Sequence, residues 1–127
     1  MEVQIFGLKK SADTRKALRF FAERRIKTHF VDLTERDIAE GELQRFVSRF
    51  GIEAVMDRGS KRFEQLGLKH STMSEGRWMD KLLVDAGLLK LPLIRRLGVG
   101  NALSIGDAEN DWKEWVSSDR NTPVRPQ

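Results

Sequence analysis

The stretch F-G-L-K-K-S-A-D-T-R-K-A-L-R-F-F, residues 6–21, leaves an apolar strand-like run, turns through polar residues and enters a helical pattern. Ahead of the turn, Val3, Gln4, Ile5 and Phe6 alternate weakly, which suits a short strand. Beyond it, Ala17, Leu18, Phe20, Phe21 and Ile26 form a core-facing stripe, with Arg15, Lys16, Arg19, Glu23 and Arg24 outside. Ser11 or Asp13 suits the helix cap. A strand-to-helix turn of this kind often carries a reactive residue, and here it offers Ser11 and Thr14.

Reading outward, residues 28–33 suggest a second strand, and Thr34 a helix cap before a short segment. A helix is expected from Gly41 through Phe46, Val47 and Phe50, stopped by Gly51. Residues 63–66 and 78–89 suggest two more helices, with Gly87 near the end of the second. Residues 91–97 read as a strand beginning at Pro92, where a missing N–H is tolerated. Gly98, Val99, Gly100 and Asn101 supply turn chemistry, and residues 102–106 a returning strand of a hairpin. Asp107 is expected to cap a last helix burying Trp112, Trp115 and Val116. The tail S-S-D-R-N-T-P-V-R-P-Q, residues 117–127, reads as disordered. The order is β-α-β, several helices, then β-β-α: an α/β domain over residues 1–116 with a helical insertion at about 35–90.

A chain of 127 residues suffices for one domain with a real core. No apolar run approaches the roughly 20 residues that span a bilayer, and the first residues do not resemble a secretory signal. A cytoplasmic location is expected, with no membrane association. The net charge of +4, from 23 basic and 19 acidic residues, is modest and dispersed, so direct nucleic-acid binding is not expected.

The absence of cysteine decides more. It excludes a disulfide, a thiolate nucleophile and a thiolate metal site. His29 and His70 are far apart, so neither a metal site nor a cofactor is expected. His29, beside Phe30, reads as a strand residue. The three tryptophans and the methionines read as core.

The order of elements, with F-G-L-K-K-S-A-D-T-R-K-A at one end and L-P-L-I-R-R-L-G-V-G-N-A-L-S-I-G-D-A-E-N-D-W-K-E-W at the other, resembles the arsenate reductase-like (ArsC/Spx/YffB) group of thioredoxin-fold proteins. Arg15-Lys16-Ala17 is similar to the start of the family's first helix, and Arg58-Gly59-Ser60-Lys61-Arg62-Phe63 to its mid-chain segment. Pro92-Leu93-Ile94 is similar to the strand whose proline is cis. The resemblance implies a thioredoxin-like small mixed sheet with an inserted helical subdomain. It puts the catalytic cysteine at Ser11, the second cysteine of the redox-sensing branch at Thr14, and the arginine before the proline at Leu91. Of the family's anion-holding arginines only Arg58 has a match.

An oxygen cannot form the mixed disulfide on which the family's reductase cycle depends, so the expectation is a protein without redox activity, acting by binding or as a regulator. The Spx branch implies one candidate partner, the C-terminal domain of RNA polymerase α. The alternative is an arsenate or glutathione-dependent thiol reductase in which Ser11 replaces a native cysteine. The helix start, with Ser11, Thr14, Arg15 and Arg58, is a candidate anion site. Pro92 is expected to support the loop at Ser11.

Overall fold

A computed structural model describes residues 1–98, 100 and 102–120, the side chain of Arg120 excepted. The elements run β1 Glu2–Gly7, α1 Ala12–Glu23, β2 Lys27–Asp32, α2 Glu40–Phe50, α3 Lys61–Gln65, α4 Glu75–Val84, a 3₁₀ turn Ala86–Leu88, β3 Leu93–Leu97, β4 Leu103–Ile105 and α5 Glu109–Arg120. The strands form one mixed sheet in the order β2-β1-β3-β4. β1 and β2 are parallel, with Ile5 opposite Phe30, while β1–β3 and β3–β4 are antiparallel.

Strand alternation divides the core between the two sheet faces. Val3, Ile5 and Ile94 face α1 and α5, where Phe20, Phe21, Trp112 and Trp115 join them. Phe6, Leu93 and Leu103 belong to the other layer, with Leu43 and Phe46 of α2, Phe63 of α3, and Trp78 and Leu82 of α4. The ring of Phe46 meets that of Phe6 edge to face at 6.2 Å. The buried indole N–H of Trp112 donates to Ser104 Oγ at 2.9 Å, which answers the need of a buried polar atom for a partner.

Several boundaries depart from the sequence reading. Thr34 caps no helix: its N–H and hydroxyl both donate to Asp32 Oδ1, at 2.9 and 2.7 Å, and close a local turn. α2, by contrast, runs Glu40–Phe50 and stops at Gly51 within one residue of the expectation, and the Glu42 carboxylate accepts the N–H of Ala39 at 2.8 Å. The helix expected over 78–89 instead starts at Glu75, capped by Ser74, and ends at Val84. Asp85 breaks it by accepting from the N–H of Gly87 and from Arg62 Nε. Asp107 does not cap α5. Its carboxylate bonds Lys16 Nζ at 2.7 Å, and the Ala108 carbonyl accepts the N–H of Trp112.

β3 begins after Pro92, whose nitrogen has no hydrogen for the ladder, and the Leu91–Pro92 peptide is cis. The four residues 117–120 of the expected tail continue α5, while residues 121–127 lie outside the described set, as do Val99 and Asn101 of the expected turn. Arg95 and Arg96 sit on an inner strand and are half-buried. The Arg96 side chain is only 11% exposed, with Nη2 3.7 Å from Asp119. Among the described residues no helix is long and apolar enough to cross a membrane.

Candidate functional site

The turn between β1 and α1 is held by its own backbone. The N–H of Ser11 donates to the Leu8 carbonyl at 2.9 Å, and the Ser11 carbonyl accepts from Arg15 N at 3.0 Å. Ser11 is the N-cap, with an extended backbone, and its Oγ accepts the N–H of Thr14 at 3.2 Å. This satisfies one of the free donors of the helix start. Its hydroxyl proton then points elsewhere.

Ser11 lines a cleft of about 820 Å³. Leu8, Lys10 and Asp13 share its side of the cleft; Asp57, Ser60, Lys61 and Arg62 form a second wall, and Val84 to Gly87 with Leu89 and Leu91 a third. Ser60 caps α3 by accepting the N–H of Phe63, and its hydroxyl donates to the Gly87 carbonyl at 3.4 Å, tying two walls together. Arg62 Nε meets Asp85 Oδ2 at 2.6 Å and clamps the same seam.

The lining charges are balanced: Lys10, Lys61 and Arg62 against Asp13, Asp57 and Asp85. No histidine lines the cleft. His29 lies on β2, its Nε2 2.7 Å from Glu2 Oε1, and its bond holds the Glu2 carboxyl below the usual range. A serine hydroxyl reacts only beside a general base, and a thiol is what a helix start activates at neutral pH. Among the described residues Ser11 Oγ bonds the N–H of Thr14, and no carboxylate or imidazole accepts its proton.

The four residues of the candidate anion site are not brought together. Thr14 is fully buried and turned toward β1: a Cβ at Gly7 would lie 2.5 Å from Thr14 Cγ2 and 2.6 Å from its Oγ1. That oxygen has no hydrogen-bond partner among the described residues. Arg15 turns back, its Nη1 donating to the Lys9 carbonyl at 2.8 Å. Arg58 is committed to the insertion. It grips Glu53 through Nε and Nη2 at 2.9 and 2.6 Å, and its Nη1 donates to the carbonyls of Lys69 and Ser71 at 3.1 and 3.0 Å. Its guanidinium carbon also lies 5.0 Å from the centre of the Trp78 ring. The ion pair raises the Arg58 pKa and holds the Glu53 carboxyl below its usual value.

The sequence reading missed Ser60, Asp85 and Lys10 as members of the cleft. Ser60 was legible as a cap ahead of Lys61-Arg62-Phe63. The Arg62–Asp85 pair was not, because its partners are 23 residues apart with nothing local to join them.

The profile of the ArsC family matches residues 6–115. No curated protein matches the chain. Among solved structures, a YFFB protein superposes with a TM-score of 0.77 at 19% identity, covering 88% of this chain and 96% of the other. An arsenate reductase from Vibrio cholerae gives 0.73 at 19% identity, with 90% and 97% covered. An arsenate reductase-related protein from Brucella melitensis gives 0.65 at 24% identity, with 91% and 95% covered. These likenesses fix the fold as thioredoxin-like α/β.

Proposed function

Since the chain belongs to the ArsC family, matched over residues 6–115, we propose that it is a member without thiol redox activity that works by binding a protein partner. One observation carries the reading: an oxygen, Ser11 Oγ, occupies the helix cap where the family's chemistry needs sulfur, and none of the 127 residues is a cysteine. A disulfide exchange requires a thiolate to attack sulfur and a sulfur to leave. A hydroxyl bonded to the N–H of Thr14, with no base hydrogen-bonded to it among the described residues, supplies neither. The cleft keeps a capped helix start and a mixed-charge lining, features that suit recognition.

The partner that the Spx resemblance implies is the C-terminal domain of RNA polymerase α, and it is the first to test. Arg58 contributes to that reading only by holding residues 53–71 in shape, since its fork is spent on Glu53 and backbone carbonyls. The experiment has two arms. Arsenate reduction coupled to glutathione and glutaredoxin is expected to stay at the blank rate with the pure protein, and turnover would overturn the reading. In pull-down, retention of the polymerase domain supports that partner, and its absence at high micromolar concentration removes it.

A further inference from the structure

We propose that the outer edge of β2 pairs, antiparallel and about a two-fold axis at Phe30, with the same edge of a second copy of this chain. The sheet order β2-β1-β3-β4 leaves two edges, and β4 spans only Leu103–Ile105. β2 spans Lys27–Asp32, and its central residues Thr28, His29, Phe30 and Val31 include no proline, lysine, arginine or carboxylate. Such residues are what commonly blunt an edge. The N–H of Leu33 donates to the Gly7 carbonyl. By alternation, the odd-numbered residues turn their backbone groups toward β1, and Thr28, Phe30 and Asp32 turn theirs outward. Among the described residues no group on that side bonds the backbone of Thr28 or Phe30.

Register and charge select a second copy as the occupant. A two-fold axis normal to the sheet keeps each face on its own side, so it must pass through a residue rather than between two. Centred on Phe30, it sets Phe30 against its own counterpart and Thr28 against Asp32, which engages every outward residue of β2. The Asp32 carbonyl is already taken by the N–H groups of Glu35 and Arg36, but its own N–H is presented. Centred on His29, the axis would need the backbone of Ile26, whose N–H donates to the Phe21 carbonyl and whose carbonyl accepts from Thr28. The flanks of the strand carry opposite charge: Arg25 and Lys27 at its start, Glu35 and Asp37 beyond its end, all exposed. Arg25, Glu35 and Asp37 form no ion pair among the described residues, and Lys27 reaches Glu2 at 3.8 Å. Arg24 is turned onto the Phe20 ring, Asp32 onto Thr34 and Arg36 onto Glu42, so these three take no part. Glu23 belongs to α1, before the turn. Antiparallel pairing lays the basic flank of each copy beside the acidic flank of the other, with Arg25 opposite Glu35. Parallel pairing would bring like charges together, and a strand of unrelated sequence has no built-in match. One strand pair buries less than the roughly 1,200 Å² of stable interfaces, so the dimer is a weak one that forms at high concentration.

Analytical ultracentrifugation of the full chain is expected to show monomer at about 10 µM and a rising share of dimer toward about 1 mM. Arg25→Glu or Glu35→Arg alone should weaken association by about tenfold, because each dimer holds the contact twice. The two together should restore it to within about threefold of the wild type. Both sites are exposed, and circular dichroism checks the fold of each variant. The lack of cysteine makes one engineered thiol a clean probe of register. Under mild oxidation Phe30→Cys should give a covalent dimer, its two Cα atoms lying about 5.5 Å apart. Thr28→Cys should give little, since its two copies are offset by about 13 Å along the strands. Should Phe30→Cys unfold, the charge reversals decide alone. A chain that stays monomeric at the highest concentration would overturn the proposal and leave the edge to a strand of another protein. A dimer that ignores both single reversals, or that the paired reversal fails to restore, would overturn it as well. Self-association and the reductase assay succeed or fail independently.

Discussion

The N–H of Thr14 donates to Ser11 Oγ at 3.2 Å, while the hydroxyl of the same threonine is buried against Gly7 with no partner. Ser11 is therefore used as a helix cap, and Thr14 for packing against β1. Each consequence is measurable.

Ser11→Ala removes the cap and should lower stability by about 1 kcal/mol, read from the urea midpoint. Ser11→Cys should instead create a thiol that titrates below the ordinary value near 8.5, because the helix start favours the thiolate. Alkylation rate against pH measures it, and a thiol titrating at or above 8.5 would contradict the assigned geometry.

Thr14→Val replaces an unpartnered buried hydroxyl with a methyl of the same shape. Removing an unpaired polar atom from a core is neutral or favourable, so the variant should be unchanged or more stable by about 1 kcal/mol. Gly7→Ala should go the other way, losing about 1–3 kcal/mol, since its Cβ would fall 2.5 Å from Thr14 Cγ2. Thermal unfolding of both variants tests the pair.

Ser104→Ala leaves the buried Trp112 N–H without its acceptor. The expected loss is about 1–3 kcal/mol. Tryptophan fluorescence during chemical unfolding measures it, and a neutral result would mean that the indole finds another partner.

The Glu53–Arg58 pair gives a pH dependence with a definite sign. The Glu53 carboxyl is held below its ordinary value of 4.5 by the Arg58 guanidinium. It therefore contributes stability above that pH and loses the contribution as pH falls through the lowered value. Glu53→Gln should flatten the decline in urea midpoint below about pH 4.5, the onset set by the unfolded carboxyl. Arg58→Ala removes the bonds to the Lys69 and Ser71 carbonyls as well, and should cost about 2 kcal/mol and speed proteolysis of the loop before α4.

Much of the fold was legible because it is written locally. The stripe Ala17, Phe20, Phe21 faces the core at helical spacing, and Val3 and Ile5 lie on one sheet face at strand spacing. The cap of α1 was read as Ser11 or Asp13, and the structure selects Ser11. The misread boundaries are those where a side chain had a choice. Thr34 and Asp107 are both good cap residues by type, yet Asp32 took the first and Lys16 the second.

The sequence alone determined that these 127 residues carry no thiol, since none of them is a cysteine. It also determined the order of strands and helices, because hydrophobic period is a property of neighbours along the chain. Only the tertiary structure decided which charges are spent. Arg58, matched to an anion ligand by the resemblance, is consumed by Glu53 and by carbonyls up to 13 residues away, and Lys16 by Asp107 and Glu109. Pairing depends on distance in space, and a sequence specifies that only through the fold.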